Sequence, residues 1–337
     1  MTSQIHTAVF NTIGAVDQWM KVIGNNVTGS VVTGFKGSKL EFGEVLNQQM
    51  RGSARASDGY GSVNAIQRAD SGVYVKGTST DFRQGSIVQT ANPLNLAIDG
   101  DAFFVLSRRP VPTTIEDLVF TRDGDFNMEF IRGDLPGTGT WRLVNKEGMF
   151  VMGYNTPVDP NVRPLGVPPE ENQGTDLSAF TTVATNGANA PLNVGLQGLQ
   201  LDLVRNPDAA GNLSFDSRGL LMLNGGAPRD LANNEANVHV ALAKFANTQG
   251  LIRDAGGAYF RYHDVAGQIF SGTAGNDTQG RVVGGSNQLR AGALENSNTS
   301  INTTLPEITL AQKSFSATSK LISVGNTIID DVNNLIR

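Results

Sequence analysis

Apolar and small residues near the carboxy terminus keep one rhythm: Ile308, Ala311, Phe315, Thr318, Ile322, Gly325, Ile329, Val332 and Ile336 alternate three and four apart. That spacing predicts a helix that buries a heptad seam against a partner. Leu321, Ile328 and Leu335 recur every seven residues beside the seam and widen it, while Lys313, Lys320, Asp330 and Asp331 lie off it. Thr304-Leu305-Pro306-Glu307 has the form of a capping box with proline in the first turn, so the helix is expected to begin at Leu305 and run roughly 45 Å. Thr318 and Gly325 let another backbone come close. A second pattern of the same kind stands at the other end, in Ile5, Val9, Ile13, Val16, Met20 and Ile23, and Asn25, Asn26 and Gly29 close it.

The chain between these helices changes period. Residues 36–70 show no sustained alternation and predict an extended connector, with Leu40, Phe42, Val45 and Leu46 as a short packed piece. From residue 71 the pattern is that of strands: Val73 and Val75, Ile87 and Val88, Leu94, Leu96 and Ile98, then the run Phe103 to Leu106. Asp123-Gly124 between Phe120 and Phe126 predicts a two-residue hairpin, and Trp141–Val144 with Gly148–Tyr154 predicts another. Prolines 157, 160, 164, 168 and 169 then mark a linker into a segment with weaker strands at Leu199–Val204, Leu213–Phe215 and Leu220–Leu223. Val238, Val240 and Leu242 alternate with His239, Ala241 and Ala243 as a half-buried strand, and Tyr259–Tyr262 is a further one.

The expected fold is therefore mainly β with terminal α-helices. A helical coiled-coil assembly domain draws on residues 1–35 and 296–337, and 36–70 is the connector. A discontinuous β domain takes 71–155 and 238–295, and a smaller β domain is inserted over 156–237. Of the 337 residues 39% are hydrophobic and only 17% charged, and the 39 glycines suit a chain of many tight turns. A net charge of -5 without a basic cluster argues against nucleic acid as a partner. No run of eighteen apolar residues occurs, so no membrane insertion is expected. The first helix has no cationic start and carries Thr12, Asp17 and Gln18, unlike a secretory signal. Absence of cysteine excludes disulfides and thiolate metal sites.

Several runs carry a resemblance. Val22-Ile23-Gly24-Asn25-Asn26-Val27 and Thr33-Gly34-Phe35-Lys36 resemble the amino-terminal signature of bacterial flagellar rod and hook proteins. Leu294–Asn298, Gln312–Ala317 and Ser319–Ile322 are similar to the carboxy-terminal signature of that family, and Phe82–Ser86, Asn92–Phe104, Phe120–Phe126 and Phe245–Leu251 to its middle. The chain departs from the pattern at Val27–Val32, where the family continues with alanine and asparagine, and at Ala102, where it has glycine. The resemblance implies a structural subunit of the flagellar axial structure, distal rod or hook. Such a subunit leaves the cell through the flagellar type III export machinery, polymerises with copies of itself and neighbouring rod and hook proteins, and transmits torque. Terminal helices would form the tube, with Ile5, Val9, Ile13, Val16, Met20 and Ile23 set against Ile308, Phe315, Ile322, Ile329 and Val332. The chain is short for a hook protein, which favours the rod type.

The alternative from another class is a secreted β-rich binding or hydrolytic protein on a coiled-coil stalk. Its chemistry finds little support. Asp123, Asp125, Asn127 and Glu129 alternate as calcium ligands do, but Met128 stands where the loop needs glycine and Asp134 where it needs glutamate. His6, His239 and His263 fall in no metal-binding frame, and neither a nucleophile elbow nor a phosphate loop occurs. No catalytic residue, cofactor or metal is therefore expected.

Overall fold

The computed structural model describes residues 2–44, 48–51, 67–69, 73–110, 112, 114–132, 139–157, 175–176, 196–198, 200–202, 212–217, 219–223, 236–254, 257–267, 269–272, 274 and 287–335. It is mainly β, with a long helix near each end, α1 (Thr2–Gly29) and α2 (Ile301–Leu335). Two compact units divide the chain: Met1–Thr28, Gly37–Asp81 and Thr299–Arg337 form the first, Gly29–Lys36 and Phe82–Asn298 the second. No helix among the described residues is long and apolar enough to cross a membrane.

The first unit contains both helices and an antiparallel ribbon of strands Ser38–Glu44 and Val73–Thr80. A bulge between Glu41 and Phe42 shifts the register of this ribbon. One extra residue reverses which side chains face inward, and this hides the strand from a search for strict alternation. The first part of the expected connector is thus a paired strand, and Gln48–Arg51 pairs with Gln67–Ala69 beyond it. The connector residues between those two strands lie outside the described residues.

In the second unit the strand Phe103–Ser107 is hydrogen-bonded to Leu118–Thr121, to Phe150–Pro157 and to Leu242–Phe245. Every residue of it is buried. Because side chains alternate across a sheet, Phe104 and Leu106 enter one apolar core with Leu96, Ile98 and Phe126, whereas Phe103 and Val105 enter another with Phe120, Phe245 and Phe260. Phenylalanine rings meet edge to face in the second core, Phe120 and Phe245 at 4.8 Å and Phe103 and Phe245 at 5.6 Å. The segment from Val240 to Ala243 is divided in the same way. Val240 and Leu242 face the first core and Ala241 and Ala243 the second, so it is buried on both faces, where alternation with small residues had predicted one. Alanine there marks a tight second core.

Two further expectations differ. The strands flanking Asp123-Gly124 do not pair with each other: Leu118–Thr121 pairs with Tyr259–Arg261 as well as Phe103–Ser107, and Phe126–Arg132 pairs with Gly139–Asn145. The dipeptide is a crossover. A Cβ on Gly124 would lie 1.7 Å from the Leu96 carbonyl oxygen, and the Leu96 amide donates to the Gly124 carbonyl at 3.0 Å, so glycine serves close approach and not a hairpin. The second expected hairpin does form, around Asn145–Gly148 with Val144 opposite Phe150.

The described parts of 156–237 join the same unit. Thr175–Asp176 pairs with Ile269–Gly272, Leu196–Gly198 with Phe150–Pro157, and Gln200–Asp202 with Gly139–Asn145. Strands Leu213–Phe215 and Leu221–Leu223 pair with each other, and Leu213, Phe215 and Leu221 pack into the first core beside Leu242. Thr175–Asp176 and Gln200–Asp202 stand at the two ends of the main strand order, whereas Leu213–Phe215 and Leu221–Leu223 form a two-stranded sheet of their own. The prolines from 160 to 169, with Leu203 and Val204, lie outside the described residues.

Candidate assembly surface

Each helix presents a buried and an open side. In α1, Val9, Val16 and Ile23 are buried seven residues apart, with Ile13 and Met20 half-buried next to them. Ile5 lies in line with them by position, its side chain outside the described residues. Asn26 fixes the end of the helix. Its Nδ2 donates to the Ser38 carbonyl at 2.7 Å and its Oδ1 accepts from the Ser38 amide at 2.8 Å, as a partner strand would. Thr299 Oγ1 donates to the Asn26 carbonyl at 3.0 Å, and the Trp19 ring meets Phe42 edge-on at 5.8 Å. Exposed on the opposite side are Phe10, Gly14, Lys21, Gly24 and Thr28, with Lys21 bonded to Asp17 at 2.7 Å.

Helix α2 begins at Ile301, one turn before the expected start. The Ser300 carbonyl accepts from the amides of Thr303 and Thr304, and Thr304 Oγ1 turns back to the same oxygen at 3.2 Å, so it does not cap. Pro306 lies inside the helix and removes one amide donor. The deepest burial falls on small residues, Thr304, Ala311 and Thr318, again seven apart, with Gly325 half-buried in line. Of the large seam residues, Ile308, Ile322 and Ile329 are half-buried beside that line and Phe315 is 38% exposed, while Val332 lies on the helix with its side chain outside the described residues. Small side chains bring the α2 backbone close to what covers it, and the isoleucines edge the contact.

A second line on α2 is open. Leu310, Ser314, Ala317, Leu321, Val324, Ile328, Asp331 and Leu335 again alternate four and three apart. Its large members, Leu310, Leu321, Val324, Ile328 and Leu335, are 52% to 85% exposed. Leu321, Ile328 and Leu335, which in the sequence widen the first stripe, belong to this second line. Leu310 and Val324, with the same four-three alternation, were the signal that there are two seams.

The β unit holds a buried ionic joint where the chain enters and leaves it. Lys36 and Glu295 are both fully buried, and Lys36 Nζ donates to Glu295 Oε1 at 2.6 Å and to the Arg83 carbonyl at 2.8 Å. The Gly85 amide donates to the same Oε1 at 2.8 Å, and Arg122 Nη1 donates to Oε2 at 3.2 Å. Main-chain bonds reinforce the joint, from the Gly34 amide to the Glu295 carbonyl at 2.7 Å and from the Asn298 amide to the Phe35 carbonyl at 3.2 Å. Arg253 lies over the Phe35 ring at 4.9 Å and bonds the Lys36 carbonyl. Gly34 has φ +67, and a Cβ there would lie 2.4 Å from the Asp123 amide nitrogen, so only glycine fits. Burial holds the Arg122 guanidinium below its ordinary range, with Glu295 opposing the shift, and burial pushes the Asp123 carboxyl up against the hydrogen bond it accepts from Thr33 Oγ1 at 2.8 Å.

These acids have structural partners. Asp123 also accepts from the Asp125 amide, and Lys146 pairs with Asp125 at 2.9 Å. His263 Nδ1 accepts from the Val265 amide at 3.3 Å, His239 sits in a strand opposite Tyr154, and His6 lies on α1. Among the described residues no group of three or more His, Asp or Glu is placed to hold a metal ion.

Known proteins are similar to this chain in sequence. The family model described as flagellar basal body rod FlgEFG protein C-terminal matches residues 290–335, which span the strand Ala293–Glu295 and α2. Flagellar basal-body rod protein FlgG of Bacillus subtilis (strain 168) is 26% identical over 94% of this chain and 93% of its own length. The FlgG of Borreliella burgdorferi is 23% identical over 94% of the chain and 92% of its own length. The flagellar hook protein FlgE of Treponema pallidum is 34% identical over 40% of the chain, which corresponds to 26% of that protein. With rod proteins aligned along nearly the whole chain and the carboxy-terminal family model lying on α2, the chain is similar to the bacterial flagellar rod and hook proteins.

Proposed function

We propose that the chain is a structural subunit of the flagellar axial structure, of the rod type, that polymerises into a tube through α1 and α2 and transmits torque along it. The observation that carries this reading is the apolar heptad line left open on α2. Scattered surface hydrophobics need no partner, but large side chains aligned over about 38 Å of one helix face do. Alignment along nearly the full length of two rod proteins, against a fraction of the hook protein, favours rod over hook. Export through the flagellar type III machinery and contact with neighbouring rod and hook proteins belong to this reading, and absence of cysteine suits passage between reducing and oxidising spaces. Of the residues expected at the assembly seam, Val9, Val16 and Ile23 on α1 and Ile308, Ile322 and Ile329 on α2 hold the helices in place, while Leu310, Leu321, Val324, Ile328 and Leu335 meet other copies.

Deletion of residues 322–337 tests the reading. The shortened chain should keep its β unit, remain monomeric in sedimentation and form no polymer at concentrations where the intact chain does. Polymer from the shortened chain would place assembly elsewhere.

A further inference from the structure

We propose that residues 287–298 are a closing strap without which the β unit does not fold, so that a chain made from its amino terminus stays open until little but α2 remains to follow. The inference concerns the β unit by itself and goes beyond the polymer reading.

The strap lies antiparallel along the stretch from Ser86 to Ala102. Ala293–Glu295 pairs with Ile87–Gln89 and Gln288–Ala291 with Leu96–Asp99, and among the described residues neither of these earlier strands pairs with any other strand. Between the two ladders the Thr90 amide donates to the Gly292 carbonyl at 2.7 Å, and the Gly292 amide donates to the Asn95 carbonyl at 2.8 Å. At one end the Asn296 amide donates to the Ser86 carbonyl at 2.9 Å. At the other the buried Asn287 Oδ1 accepts from the amides of Asp101 and Ala102 at 2.8 and 3.2 Å. The strap therefore supplies backbone partners to the whole approach to the central strand Phe103–Ser107.

Packing and charge depend on it too. Leu289 is buried in the first core with Leu96, Ile98 and Phe104. Glu295 is the carboxylate that the buried Lys36 and Arg122 share, so removing the strap deprives two buried cations of it at once. Loss of a buried charge's partner is among the costliest single defects a marginally stable fold can meet. Order along the chain turns this dependence into a gate. Gly85 and Glu295 are 210 positions apart and Asp101 and Asn287 186, and closing such long loops costs entropy that only the finished contacts offset. Synthesis runs from the amino terminus, and only α2 and its tip follow the strap. A chain that does not close early suits the export part of the reading above.

Pulse-labelled hydrogen exchange during refolding of the intact chain tests the gate. Amides of Phe103–Ser107 and Leu242–Phe245 should gain protection in one phase with those of the strap, and Glu295→Gln should slow that phase in all these segments by about tenfold or more. Protection of the central strands in an earlier phase would show the second core, which contains no strap residue, closing by itself, and would overturn the inference. A second measurement decides should Glu295→Gln not fold. A protease site is inserted between Gly284 and Gly285 of the full chain, the folded protein is cut, and the pieces are separated in urea. Returned to buffer, the larger piece should stay sensitive to protease and regain resistance when a synthetic peptide of residues 287–298 is added, but not with the same peptide carrying Glu295→Gln at equal concentration. Resistance regained without peptide, or a natural peptide that restores none, would overturn the inference. Neither measurement involves polymer, so its failure leaves the polymer reading standing.

Discussion

At Lys36, Glu295 and Arg122, three charges are buried together, and the energetics of that burial decide what each does. A buried ion pair is worth little against an apolar substitute, but one charge left without its partner is costly. Lys36→Met leaves the Glu295 carboxylate with Arg122 and the Gly85 amide alone, so the variant should unfold more easily by about 3–5 kcal/mol, read from urea denaturation of the full chain. A loss below ~1 kcal/mol would mean the pair behaves as an exposed one. The Thr33–Lys36 run was legible as a signature, yet its chemistry was not. Lys36 and Glu295 are 259 positions apart, and no periodic pattern links a lysine after one helix to a glutamate before another. Gly34 was similarly readable only as a glycine; its positive φ and the adjacent Asp123 amide explain it.

Among the elements, helices were the most legible and turns the least. Period alone located α1 and α2, because seven-residue recurrence of apolar positions survives over many turns. Which large residues face inward was less visible, since the closest packing on α2 uses Thr304, Ala311 and Thr318, residues that hydrophobicity ranks low. The same weakness hid the second core under Ala241 and Ala243. Asp123-Gly124 misled because the dipeptide that opens a hairpin also suits a backbone pressed against Leu96. The two lines on α2 give opposite expectations for substitution. The double variant Leu321→Glu with Ile328→Glu should stay within ±0.5 kcal/mol of the parent in monomer stability, as exposed changes do, and lose polymerisation. Ala311→Leu, at a fully buried position, should destabilise the helical unit by about 1–3 kcal/mol through overpacking. If circular dichroism melts show the glutamate pair unfolding α2 and Ala311→Leu leaving it unchanged, the buried and open faces have been assigned the wrong way round.

On the scale of the molecule, the division into a helical unit and a β unit was legible from the change of period, but its borders were not. Gly29–Lys36 belongs with the β residues and Gly37–Asp81 with the helices, because the ionic joint holds the first segment and the bulged ribbon holds the second. A separate inserted domain was expected from weak strands and prolines, yet strands such as Leu213–Phe215 fill the main core. What unites these observations is that the chain satisfies its β cores internally and leaves one helix face unsatisfied. Electron microscopy of the concentrated, purified full-length chain tests that claim most directly. Hollow tubes of uniform diameter, dissolving to monomers on dilution, are the predicted result, straight for the rod type. Monomers at every concentration, or closed dimers that grow no further, would contradict it.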